Sequence, residues 1–287
     1  MNNYGNLLLV GSREQTQKKA LEIIRKKIEG EHNLIITDTV SCFLYHNTIA
    51  AAHEHGYRIV RLDPYAKKRD SVNIMQTAGD GDEEKLCGTF PEYLLGEMFI
   101  GEPEEYISPS RYAWSYEVIH YMVEHKYGLS QINKFFKENP IRSVVDKLYD
   151  QEPQLMSLIG SEPPWRIADD LSDIQNTFTR RLSAKREVEM LSESGYDMSM
   201  FGQEKTIVYI APMPECRLTP LVIERILELN EDSRIPCTVV MDEGSCIREP
   251  YRYGWNVTTN YLLMIRTDQI PSGKLLKESC KQTCYCA

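Results

Sequence analysis

The sequence predicts a three-layer α/β fold, a parallel sheet between helices, with a helical insertion in mid-chain. Three observations predict it. A short wholly apolar run, "LLLV" at Leu7 to Val10, and a second short run, "LIIT" at Leu34 to Thr37, suit strands buried on both faces. Stretches of helical period separate such runs, and crossovers of that length return the next strand parallel to the last. The middle of the chain then lacks strand character until "KTIVYIAP" at Lys205 to Pro212.

Taken in order, Gly11 ends the first strand. Thr16 to Ile28 reads as a helix with Ala20, Leu21, Ile24 and Ile28 on one face and Lys18, Lys19, Arg25, Lys26 and Lys27 mostly off it; Gly30 stops it. A second strand ends at Asp38. Phe43 to His55 makes the next helix, with His53 and His55 suited to its carboxyl end and Gly56 to a left-handed cap. "YRIVRLD" at Tyr57 to Asp63 gives a third strand before Pro64. Asp70 to Pro109 reads as loop-rich and acidic. From Arg111 to about Leu191 the segments "RYAWSYEVIHYMVEHKYG", "SQINKFFKENP", "IRSVVDKLYD" and "DDLSDIQNTFTRRLSAKREVEML" carry apolar residues at helical spacing. After "KTIVYIAP" comes a helix opened by Thr219 and Pro220, then a strand in "CTVVMDE". The expected organisation is an α/β core from residues 1–78 and 200–275, a loop-rich and helical insertion from 79–199, and a polar tail from 276–287.

With 42 acidic against 33 basic residues in 287, the net charge is −9, so bulk charge gives no support to nucleic-acid binding. No run approaches the roughly 18–20 apolar residues of a membrane span, and the polar start lacks signal-peptide regions, which reads as cytoplasmic. The eight cysteines are too sparse for a disulfide scaffold. Cys42, Cys87, Cys216, Cys237 and Cys246 are expected as thiols. Cys280, Cys284 and Cys286 cluster, but no histidine follows His125 to complete a zinc site; a frayed tail is the plain reading and metal binding the alternative.

The sharpest local signal is "CTVVMDEGS", in which Val239 to Met241 deliver Asp242 and Glu243 to a strand's carboxyl end. Nucleotide hydrolysis uses such a pair, the aspartate anchoring the water shell of Mg²⁺ and the glutamate polarising the attacking water. An acidic strand exit with no chemistry is the alternative.

The order of "NLLLVGS", "LIITD", "HGYRIVRLD", "SVNIM", "RYAWSYEVIHYMV", "MFGQEKTIVYIAPMPE", "IPCTVVMDEGSCIREP" and "YLLMIRTDQIP" resembles the TraG-like coupling proteins of type IV secretion. These serve conjugal DNA transfer and belong to the FtsK/HerA group of DNA-pumping ATPases. The resemblance implies a P-loop NTPase-like core with an inserted all-helical subdomain. It places Gly11, Ser12, Thr16, Gln17 and Lys18 at the phosphate loop, Asp242 at the metal through its water shell, and Asp242 and Glu243 at the hydrolytic step.

The chain departs from that pattern where chemistry is demanded. In G-x-x-x-x-G-K-[ST], backbone N–H groups wrap the phosphates, the lysine neutralises charge and the hydroxyl binds Mg²⁺. Counting from Gly11, the last three positions hold Thr16, Gln17 and Lys18. A shift by one puts Lys18 at the lysine position but Lys19 at the hydroxyl. After Asp38 the family's "PKGE"-like turn is "TVSC" here. In "YLLMIRTDQIP" the resemblance implies an arginine, Arg266, following a helix.

The expectation is therefore a degenerate and truncated family member: a non-hydrolysing adaptor, a pseudo-ATPase for which ATP and Mg²⁺ are cofactors only if the site is active. Its implied partners are transfer-channel or relaxase components, met by the helical insertion, with weak or no self-association. DNA is a further expected contact at Arg180, Arg181, Lys185 and Arg186, for which a solvated helix face is the alternative. Trp114 is expected in a core rather than on a base-stacking platform. The competing readings are an active ATP-driven translocase, a relic of a mobile element, and an unrelated enzyme using Asp242 and Glu243 as acid and base.

Overall fold

The computed structural model describes residues 7–38, 41–77, 79, 81–95, 109–138, 164–216, 218–242, 259–266 and 282–285. By its contacts the chain divides into two compact units, one of residues 1–70, 196–214 and 226–287 and the other of 71–195 and 215–225.

Among the described residues the first unit is built on a sheet of seven strands: β1 (Leu7–Gly11), β2 (Asn33–Thr37), β3 (Arg58–Leu62), β4 (Thr206–Ile210), β5 (Cys237–Met241), β6 (Thr259–Arg266) and β7 (Gln282–Tyr285). Their order across the sheet is β3-β4-β2-β5-β6-β1-β7, and every neighbouring pair is parallel. The α/β class and parallel sheet read from the sequence are those observed. All five residues of β2, β4 and β5 are buried, as central strands covered on both faces require. Along β2 the side chains alternate, and Leu34 and Ile36 join one core with Ala20, Ile24 and Ile28 of α1 (Arg13–Glu29) and Leu44 and Ala52 of α2 (Phe43–Glu54).

Four features of this unit differ from the sequence reading. Helix α1 begins three residues earlier than Thr16, because Ser12 and Gln15 form a reciprocal capping box. The residue in left-handed conformation after α1 is Glu31 rather than Gly30, whereas Gly56 after α2 has the positive φ expected of it. Thr259–Arg266, expected to include a helix, is a strand between β1 and β5, so Arg266 ends a strand. Within the expected polar tail, Gln282–Tyr285 pairs parallel with β1 and forms one edge of the sheet.

The lower edge of the sheet, at the strands' amino ends, is tied by one side chain. Asn33, 1% exposed, donates through Nδ2 to the carbonyls of Phe201 and Glu204 and accepts the Thr206 N–H at 2.8 Å. Beside it the Tyr57 hydroxyl donates to the carbonyl oxygen of His32 at 2.9 Å.

The second unit is helical. It contains α3 (Asp82–Leu95), α4 (Pro109–Glu124), α5 (Leu129–Glu138), α6 (Pro164–Arg181) and α7 (Lys185–Met190), and the start of α8 (Thr219–Glu228), whose last three residues belong to the first unit. Helix α3 lies where an acidic loop was expected. Its acids Asp82, Glu83 and Glu84 occupy the first turn, where they oppose the helix dipole favourably, and Leu86, Cys87 and Phe90 are buried. Arg225, fully buried, binds both carboxylate oxygens of Asp82 at 3.2 and 3.1 Å and the Gln76 carbonyl at 2.7 Å. Trp114 is fully buried in this unit, a core residue as expected. The segment "IRSVVDKLYD" lies outside the described residues.

Candidate functional site

The candidate site forms at the carboxyl ends of β1 and β5. These strands are separated by β6 alone, hence by about 10 Å at ordinary strand spacing. Gly11 pairs with Arg266 at the exit of β1, and Met241 pairs with Leu263 and Thr37 on either side of β5. Asp242, one residue beyond, is 3% exposed.

Two elements position Asp242. From β2, Thr37 accepts the Asp242 backbone N–H on its Oγ1 at 3.2 Å. From α1, the Gln17 side chain donates through Nε2 to Asp242 Oδ2 at 2.9 Å, both residues being buried. The sequence reading placed Gln17 at the lysine position of a phosphate loop, and the structure brings that residue to the acidic strand end. Thr37 was missed. Gln17 also carries a signal that was overlooked: with Ala20, Leu21, Ile24 and Ile28 it continues the apolar stripe of α1, and a polar side chain on a buried stripe needs a buried partner.

The other loop positions do different things. Gly11 is the last residue of β1, and Ser12 alone separates it from α1. The Ser12 Oγ accepts the Gln15 N–H and the Ser12 N–H is taken by Gln15 Oε1 at 3.0 Å. The Thr16 hydroxyl donates to the carbonyls of Ser12 and Arg13, both at 3.0 Å, so it is spent within its own first turn. Lys18 is exposed. Successive helix residues lie about 100° apart, so Gln17 facing Asp242 turns Lys18 away from it. Glu243 lies outside the described residues.

These residues do not fit a Mg²⁺-nucleotide as a phosphate loop would hold it. The segment that would wrap the phosphates is already helix from Arg13, the buried lysine position holds an uncharged amide, and the hydroxyl is turned inward to backbone. Among the described residues no group of three or more His, Cys, Asp or Glu side chains is arranged to hold a metal ion.

The neighbouring strand ends are occupied structurally. Asp38 Oδ2 accepts the Tyr45 N–H at 2.8 Å at the start of α2, where Cys42 supplies no cap of its own. Asp63 pairs with Arg61 at 2.6 Å, and the Arg61 guanidinium lies 4.5 Å from the centre of the Tyr45 ring. Burial, followed by the charges of Asp63 and Asp38, raises the Cys42 thiol's pKa, which makes it a poor nucleophile.

In the helical unit the structure divides the basic run. Arg181 is buried and donates to the Tyr93 carbonyl at 3.1 Å, which removes it from the expected DNA contact; Arg180, Lys185 and Arg186 are exposed. Among the described residues no helix is long and apolar enough to cross a membrane.

A parallel sheet in which one strand separates the glycine-exit strand from the acidic strand, with helices packed on it, defines an open parallel α/β core. Solved structures of the conjugative coupling protein TrwB share the fold. They include its unbound monoclinic form lacking the first 70 residues (TM-score 0.59, 10% identity), its complex with the non-hydrolysable ATP analogue ADPNP (0.62, 10%) and its complex with ADP and Mg²⁺ (0.56, 12%). Each similarity covers 96% of this chain and 65–67% of the TrwB chain, so the present chain spans about two thirds of the structures it matches. No family model and no curated protein matches the sequence.

Proposed function

We propose that the chain is a TraG-like coupling-protein homologue of conjugative DNA transfer that binds its partners without hydrolysing ATP. The TrwB fold over nearly the whole chain supports the conjugative setting. One observation carries the non-hydrolysing part: Gln17, at the lysine position, is engaged with Asp242 inside a helix that has absorbed the phosphate loop. Without a lysine at the phosphates and a hydroxyl on the metal, transition-state charge goes uncompensated. Groups of this kind stabilise it by several kcal/mol, so turnover falls by about three decades or more.

The partners are transfer-channel or relaxase components, recognised by the helical unit. The competing reading, an active translocase, is favoured by two observations: the TrwB structures bind ADP with Mg²⁺ and ADPNP, and Asp242 stands at a strand end.

Calorimetric titration with Mg-ATP, paired with phosphate release by wild type, Lys18→Ala and Glu243→Gln, separates the two. Silence in all three is expected. Micromolar binding and hydrolysis abolished by both substitutions establish the translocase instead. Deletion of residues 111–190 is expected to abolish capture of a relaxase or channel component; unchanged capture assigns recognition to the sheet unit. Capture of neither class of partner by the full chain leaves the relic of a mobile element as the reading.

A further inference from the structure

We propose that the Gln17–Asp242 hydrogen bond is a built-in strut that holds α1 against the acidic strand end in one state, whether or not nucleotide is present. The inference rests on the degenerate-site reading above and adds how the two sides of that site are joined. In phosphate-loop enzymes the metal-bound phosphates lie between the loop's helix and the acidic strand, so the relative position of the two responds to the ligand. Here the two are joined directly, across 225 positions of sequence, by a 2.9 Å bond whose donor and acceptor residues are 6% and 3% exposed.

Both ends of the strut are fixed from behind. On one side Thr37 Oγ1 holds the Asp242 backbone, tying the strand end to β2. On the other, Gln17 stands on the same helical face as Ala20, Ile24 and Ile28, all fully buried against the sheet. A buried carboxylate needs a donor, and an amide supplies one without adding charge. A hydrogen bond to a charged acceptor is stronger than one between neutral groups and is strengthened further in a buried setting. The contact therefore links α1, β5 and β2.

The test uses the full chain and four variants: Gln17→Met, which keeps length and bulk but removes the donor; Gln17→Glu, which opposes two carboxylates; Asp242→Asn; and the double variant Gln17→Glu/Asp242→Asn, which reverses donor and acceptor. Thermal melting and amide hydrogen exchange at Lys18 to Leu21 are the readouts. Gln17→Met is expected to raise exchange at these amides about tenfold. Gln17→Glu should melt lower than Gln17→Met, and the double variant should melt above Gln17→Glu alone. Wild-type exchange like that of Gln17→Met, or a double variant no better than Gln17→Glu, overturns the strut; if Gln17→Glu fails to fold, Gln17→Met decides. Millimolar Mg-ATP should change neither readout in wild type. A rise in wild-type melting with Mg-ATP overturns nucleotide independence and the degenerate-site reading, while the order of the variants still judges the strut separately.

Discussion

Asn33 satisfies three backbone groups with one buried side chain, donating to the carbonyls of Phe201 and Glu204 and accepting from the amide of Thr206. Asn33→Leu keeps the volume but strands the Phe201 carbonyl and the Thr206 N–H, and leaves the Glu204 carbonyl only the longer bond from the Thr206 hydroxyl at 3.4 Å. Each unsatisfied buried group costs about 1–3 kcal/mol, so a loss of about 3–5 kcal/mol is expected, seen as a fall in melting temperature of about 10 °C or more. Its neighbour His32 sets a pH dependence. Burial, and secondarily the charge of Lys27, lowers its pKa to about 4 from the ordinary 6.5. The imidazole is therefore neutral in the folded chain where the unfolded chain would protonate it. Its contribution to stability is full above pH 6.5 and is lost as pH falls from there towards 4. His32→Gln should flatten the melting temperature of this unit across that window; an unchanged slope would assign the acid sensitivity elsewhere.

At the scale of elements, α1 shows how a local signal redirects a site. Ser12 and Gln15 stand three apart, the spacing of a capping box, and that pair starts the helix at Arg13 instead of leaving a loop. Ser12→Ala should destabilise by about 1 kcal/mol, lowering melting by about 2–4 °C, with the loss concentrated in exchange of the first turn. The late strands illustrate the opposite case. "YLLMIR" is apolar enough to be read as helix or strand, and "QTCY" gives almost no pattern at all. Their strand state comes from neighbours: β6 closes the gap between β1 and β5, and β7 pairs along the outer side of β1. Helix α3 was legible in principle, since Leu86, Cys87 and Phe90 follow a three-acid first turn, but the acids made the stretch look like loop.

At the scale of the whole molecule, charge governs what a DNA contact can be. The chain carries −9, and of the basic run only Arg180, Lys185 and Arg186 are exposed. Three phosphate contacts give a slope of log K against log salt no steeper than about −3 for duplex DNA. Binding measured between 50 and 200 mM salt is expected to be weak and to respect that limit; a steeper slope would require a further basic surface.

The sequence by itself determined the parallel α/β class, the first three strands with the two helices between them, and the arrival of Asp242 at a strand end. These follow from hydrophobic period, capping residues and turn residues, which act over a few positions. Only the tertiary structure decided that β6 stands between the glycine exit and the acidic strand, that Arg181 turns inward, and that Gln17 meets Asp242. Those outcomes depend on which strands become neighbours and which polar groups are buried together. Gln17 and Asp242 are 225 positions apart, and neither residue's local pattern names the other; the pairing is set by the burial of both side chains at one place in the sheet, where each needs the hydrogen bond the other provides.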